Sequence, residues 1–71
     1  MKRYWLMKLI KYDPLSRTET WKCLNIGTNK PHELNNFMFN GYRIYDNVNN
    51  VVIKTNLNLK QWIKDNEESQ L

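Results

Sequence analysis

Residues 4–26, YWLMKLIKYDPLSRTETWKCLNI, decide the fold. Tyr4–Tyr12 is rich in β-formers and holds no breaker, so it reads as a strand. Asp13-Pro14-Leu15-Ser16-Arg17 reads as a turn, because Pro presets the backbone of a turn's second position and Asp bonds its own backbone just before it. Thr18–Ile26, with Thr, Trp and Ile, is the returning strand, and Gly27-Thr28-Asn29-Lys30 breaks it. A β-hairpin therefore opens the chain.

Two registers of this hairpin stay open. With Tyr12 opposite Thr18, Lys11 faces Glu19, Leu9 faces Trp21, Met7 faces Cys23 and Lys8 faces Lys22. Trp5, Met7, Leu9, Trp21 and Cys23 then share the side expected to be core, with Cys23 as a small buried hydrophobe. Tyr4, Leu6, Lys8, Ile10, Tyr12, Thr20, Lys22 and Leu24 share the other. Like charges opposed across a sheet are destabilising, and an anionic partner would relieve the Lys8–Lys22 pair. With Tyr12 opposite Thr20, Lys8 faces Leu24 and the conflict disappears.

Beyond the hairpin, Pro31–Asn35 suits one helical turn, with Pro at its start and Glu33 in its first turn. Two continuations compete. Leu34, Phe37 and Met38 have helical spacing with Gly41 as a cap, while Phe37-Met38-Phe39 could turn at Asn40-Gly41 into Tyr42–Tyr45 as a second hairpin. In both, Tyr42–Tyr45 is a strand, Asp46–Asn50 a turn cluster and Val51–Thr55 a further strand. A C-terminal helix starts at Asn58 as N-cap, with Gln61 three residues on and Leu57 and Trp62 placed as a hydrophobic staple. Leu59, Trp62 and Ile63 form its apolar stripe. It should fade near Asn66, because Glu67 and Glu68 oppose the negative end of the helix dipole. The expectation is a small α+β protein: an antiparallel sheet of four or five strands with the C-terminal helix packed on one face, compact over residues 1–66, and with residues 67–71 as a frayed acidic tail.

The 71 residues allow one domain, and a chain of this size buries only about 60% of its unfolded surface. Hydrophobic residues make up 41%, too many for a disordered chain. The longest early apolar run, Tyr4–Met7, is too short for a membrane span or a signal-peptide core, so a cytoplasmic location is expected, the host cytoplasm if the gene is a phage's. There is no alanine, yet there are eleven Asn and eight Lys, a bias toward A/T-rich codons that suits a phage or mobile element.

One cysteine, Cys23, and one histidine, His32, leave no disulfide, no metal site and no cofactor to expect. No phosphate loop, zinc motif or nucleophile elbow is present. His32 and Glu33, with Arg43, Lys54 or Tyr45 to hold a phosphate, are the parts of a small endoribonuclease, but neighbours on a helix point about 100° apart and do not converge. No enzymatic activity is expected.

Charge is uneven. Residues 1–30 carry Lys2, Arg3, Lys8, Lys11, Arg17, Lys22 and Lys30 against Asp13 and Glu19, a net +5, while residues 31–71 sum to −1. A basic hairpin with interleaved aromatics is the composition of single-strand nucleic-acid binders, in which lysines follow phosphates and rings stack on bases. Two functions follow as expectations: a non-enzymatic phage-type protein that docks on and modulates a host protein, or a small RNA- or DNA-binding protein. In both, Lys8, Lys11, Tyr12, Arg17 and Lys22 are the candidate contact residues. A core this small is also compatible with self-association through an edge strand.

Overall fold

The computed structural model describes residues 1–69, and the side chains of residues 1–66. Strands β1 (Tyr4–Asp13), β2 (Thr18–Thr28), β3 (Tyr42–Asp46) and β4 (Val51–Asn56) form one antiparallel sheet in the order β2-β1-β3-β4. A 3-10 segment, Pro31–Phe37, joins β2 to β3, and helix α1 (Leu59–Ser69) follows β4. The first turn forms as its residues require: the Leu15 amide donates to Asp13 Oδ1 at 3.0 Å, and Arg17 takes a left-handed φ of 57°.

The hairpin register is a composite. Its middle pairs Met7 with Cys23, Lys8 with Lys22 and Leu9 with Trp21, so the two lysines do oppose each other. Toward the turn the register shifts by one residue between Leu9 and Lys11, leaving Ile10 as a bulge. Lys11 therefore faces Thr20 and Tyr12 faces Glu19, which corrects the expected Lys11–Glu19 pair. A second irregularity lies between Trp5 and Met7, where Asn25 has φ 60°. Beyond it β2 runs through Gly27 to Thr28 instead of breaking at Gly27. The Trp5 ring lies against Gly27, where a Cβ would come within 2.8 Å of Cζ3, so this glycine makes room for a neighbour.

The expected core side is reversed except at Leu9, which is 1% exposed on the Trp21 side. Leu6, Ile44 and Leu34 form the buried cluster, with Tyr4, Leu24, Met38 and Tyr42 packed against it. Leu6 pairs with Ile44 on the face opposite Trp5 and Met7, and the 3-10 segment crosses that face with Leu34 pointing in. Each such buried side chain stabilises by roughly 1.5–3 kcal/mol. On the other face Trp5, Met7 and Trp21 are only half-buried and Cys23 is exposed, so Cys23 is not a core residue. Both faces of β1 are apolar: Leu34 covers one, and on the other Leu9 is buried beside Gly41 and Trp62.

The segment after the 3-10 turn is neither a longer helix nor a hairpin arm. β3 lies between β1 and β4, so Phe37–Phe39 finds no vacant edge to pair with. The Asn40-Gly41 turn does form: the Tyr42 amide donates to Phe39 O at 3.2 Å, with Gly41 at φ 90°. The Gly41 amide donates to Asn56 O, and its carbonyl accepts from the Leu9 amide, each at 2.8 Å.

Helix α1 starts as expected, with the Gln61 amide donating to Asn58 Oδ1 at 3.1 Å. It continues to Ser69, past the expected fade at Asn66. Gln70 and Leu71, the end of the expected tail, and the side chains from Glu67 onward lie outside the described residues. Contact is extensive between neighbouring strands, much sparser between the 3-10 segment and β1, β2 and β3, and α1 packs on neither face of the sheet to that degree. The closest link is the half-buried Trp62, which lies against Gly41 beside Leu9.

Asp46 ties the ends of β1 and β3 together. Arg3 Nε and one Arg3 terminal nitrogen donate to its two carboxylate oxygens at 3.1 and 3.0 Å, and the Val48 and Asn49 amides donate to Oδ1 at 2.9 and 3.3 Å. The Arg3 hydrogen bond, with those two amides, lowers the Asp46 pKa to about 2 against the opposing effect of burial. The unfolded chain therefore takes up this proton first, near pH 4. Stability from Asp46 is complete above about pH 4 and lost as the pH falls toward 2. Asp13, lowered by the Leu15 amide, acts in the same direction. In a thermal-melt series, Asp46→Asn should show a shallower acid decline than the parent. Equal declines would assign the acid sensitivity to other carboxylates.

Candidate binding surfaces

By strand alternation, the side of the sheet away from Leu34 presents Trp5, Met7, Trp21, Cys23, Arg43 and Tyr45, and Leu9 is buried at the end of it nearest Trp62. Met1, Trp5, Met7, Cys23, Asn25, Tyr45 and Asn47 line a shallow depression of about 410 Å³ on it. Its shape is fixed by local bonds: Trp5 Nε1 donates to Lys2 O at 3.0 Å, and Tyr45 Oη donates to Asn50 Oδ1 at 3.0 Å. At one end the Arg43 guanidinium stands 4.2 Å over the Trp21 ring, whose Nε1 donates to Glu19 Oε1 at 3.0 Å. Arg43 Nε is buried without a hydrogen-bond partner, and burial lowers the Arg43 pKa, with Glu19 acting in the other direction. Arg3–Asp46 is the only salt bridge among the described residues.

The second surface lies on the opposite side of the hairpin. Past the bulge at Ile10 the alternation resumes one residue out of step. Lys11, opposite Thr20, thus falls on the side of Lys8 and Lys22. All three lysines are exposed. Glu19, opposite Tyr12, falls on the other side. Lys8 Nζ lies 6.0 Å from the Tyr42 ring centroid, and Phe39 meets Tyr42 edge-on at 5.8 Å. The fold thus gathers three of the five expected contact residues. Tyr12 leaves the group and lines a cleft with Ile10, Pro14, Trp62 and Ile63, which Lys11 also borders. Arg17 stays exposed at the turn. Tyr42, not Tyr12, is the ring beside the lysines.

The endoribonuclease parts do not meet. His32 sits exposed on the 3-10 segment, and Glu33 Oε1 accepts from Thr28 Oγ1 at 2.7 Å. Lys54 Nζ donates to Asn35 Oδ1 at 3.0 Å, while Arg43 and Tyr45 lie on the far face. No group of His, Cys, Asp and Glu suited to a metal ion occurs among the described residues. No helix among them is long and apolar enough to cross a membrane.

Sequence reading missed Trp5, Met7, Arg43 and Tyr45 as surface groups, because strand alternation marks which residues share a face but not which face is covered. The one available signal was Leu34, an apolar residue next to Pro31 in a polar connection. The molecule is thus a small α+β protein built on a four-stranded antiparallel sheet. No protein-family model matches the chain, nor does any curated protein or solved structure.

Proposed function

We propose that this protein is a non-enzymatic docking module that binds and modulates a partner protein through the open face of its sheet. The supporting observation is the uncovered apolar row of Trp5, Met7 and Tyr45 on the side of the sheet away from Leu34. Trp, Tyr and Arg are the residue types that carry most of the binding energy at protein interfaces, and Trp5, Trp21, Tyr45 and Arg43 are grouped here. The A/T-rich codon bias supports a phage or mobile-element accessory protein acting on a host protein in the host cytoplasm. Cys23→Lys tests the face, since Cys23 is exposed at its middle and a lysine there leaves the core untouched. The variant should melt like the parent yet lose the partners that the parent captures from a nuclease-treated host lysate. Equal capture by both would remove this face from the interface.

The lysine side of the hairpin supports a second reading, a single-strand nucleic-acid binder. Among the described residues Lys8, Lys11 and Lys22 have no carboxylate in ion-pair range, and Tyr42 and Phe39 stand beside Lys8. Replacing Lys8 and Lys22 together by Gln should flatten the salt dependence of oligonucleotide binding by up to about two phosphate contacts. It should also raise stability by roughly 0.2–1 kcal/mol, because their cross-strand repulsion is removed. A double variant with unchanged binding at every salt concentration and an unchanged melting temperature would leave these lysines as solvated surface.

A further inference from the structure

Arg43 is the one charged side chain of the sheet's open face that combines partial burial, an orphaned Nε and no ion pair. A buried donor left unpaired is costly, and a guanidinium held rigid over an indole ring is shaped to take a planar anion on two parallel hydrogen bonds. The nearest acid, Glu19, accepts at Oε1 from the Trp21 indole. Asp46 belongs to Arg3 on the other face. The strand lysines Lys8, Lys11, Lys22 and Lys54 fall on the other face, so Arg43 is the one strand cation of the open face, while Lys2 and Met1 flank the far end of the depression. A phosphate dianion or a nucleic-acid backbone asks for more donors than this face holds.

We propose that the open face takes a partner segment that sets an Asp or Glu carboxylate on Arg43 and an apolar side chain in the Trp5–Met7–Tyr45 depression. This rests on the docking reading above and specifies its chemistry. The partner's carboxylate balances a guanidinium charge that partial burial disfavours, and the spacing between the two anchor points selects partners whose acidic and apolar residues lie side by side.

A minimal probe of this chemistry is 3-phenylpropanoate, which joins a carboxylate to an apolar ring, with 3-phenylpropanamide as the uncharged match and inorganic phosphate as the second anion. Binding is followed by NMR shifts of Arg43 Nε–H and of the Trp5 and Trp21 indole N–H groups on titration of the full chain. The carboxylate should shift all three signals and bind roughly tenfold more tightly than the amide. Arg43→Lys, which keeps the charge but loses the fork, should reduce that preference, and Arg43→Gln should abolish it. Because the main comparison uses the parent protein, it stands even if a variant fails to fold. Equal binding of acid and amide overturns the Arg43 assignment and leaves an apolar docking face. Tighter binding of phosphate at Arg43, or carboxylate shifts confined to Lys8, Lys11 and Lys22, overturns it as well. If neither organic probe shifts the indole signals the proposal fails, and the Cys23→Lys capture experiment decides the docking reading separately.

Discussion

Ile44→Ala is expected to lower stability by about 3–4 kcal/mol, within the range for truncating a fully buried aliphatic side chain. Ile44 is 1% exposed, lies on a central strand, pairs with Leu6 and packs beneath Leu34. Its loss would leave a cavity bordered on one side by strand backbone, which cannot collapse to fill it. A domain of this size has only about 4–10 kcal/mol in total, so the variant should be partly unfolded on mild warming. Urea titrations of Ile44→Ala and of Ile53→Ala make the comparison, since Ile53 is exposed on the edge strand β4 and its truncation should stay within about 0.5 kcal/mol. Equal losses at the two positions would mean that the Leu34-covered face is not the core.

The second large effect is expected at Gly41. Its φ of 90° disfavours any residue with a Cβ, and a Cβ there would lie 2.8 Å from Trp62 Cδ1. Backbone strain of this kind costs of order 1–3 kcal/mol, and displacing the indole adds the loss of the Trp62 contact between α1 and the sheet. Gly41→Ala should therefore lose about 2–4 kcal/mol. The two contributions separate in a double-mutant cycle with Trp62→Ala. Once the indole is gone, the alanine at position 41 should cost only the backbone strain, so the two losses should sum to more than the double variant shows. Strict additivity would place Trp62 away from Gly41 in solution.

Much of the architecture was legible because its signals are local. Asp13-Pro14 marks its turn through one side chain and one ring, and Asn58 caps α1 through the Gln61 amide. What stayed hidden depends on long-range choices. Both faces of β1 carry large apolar groups, Trp5 and Met7 on one and Tyr4 and Leu6 on the other. Only the path of Pro31–Phe37 settles which side is sealed. The bulge at Ile10 hides in a run of β-formers with no glycine to announce it, yet it moves Lys11 to the side of Lys8 and Lys22 and so composes the basic surface. The expected contact residues included these lysines, which the fold brings to one side, and Tyr12, which the same bulge sends to the opposite side. Arg43 carried no local sign, because its orphaned Nε and its stacking on Trp21 arise only where β3 lies along β1.

The strand order also sets the sequence of events as the chain folds. Each hairpin, β1 with β2 and β3 with β4, closes across a short turn and can form on the microsecond scale. The pairing of Leu6 with Ile44 joins the two hairpins across the whole 3-10 connection, and a loop of that length must close before any buried cluster rewards it. The docking of the two ribbons along the β1–β3 seam is therefore the expected rate-limiting step. Until that seam closes, the inner edges of both ribbons are unsatisfied. Substitutions at Leu6 or Ile44 should slow folding, while those at the outer strands should mainly hasten unfolding.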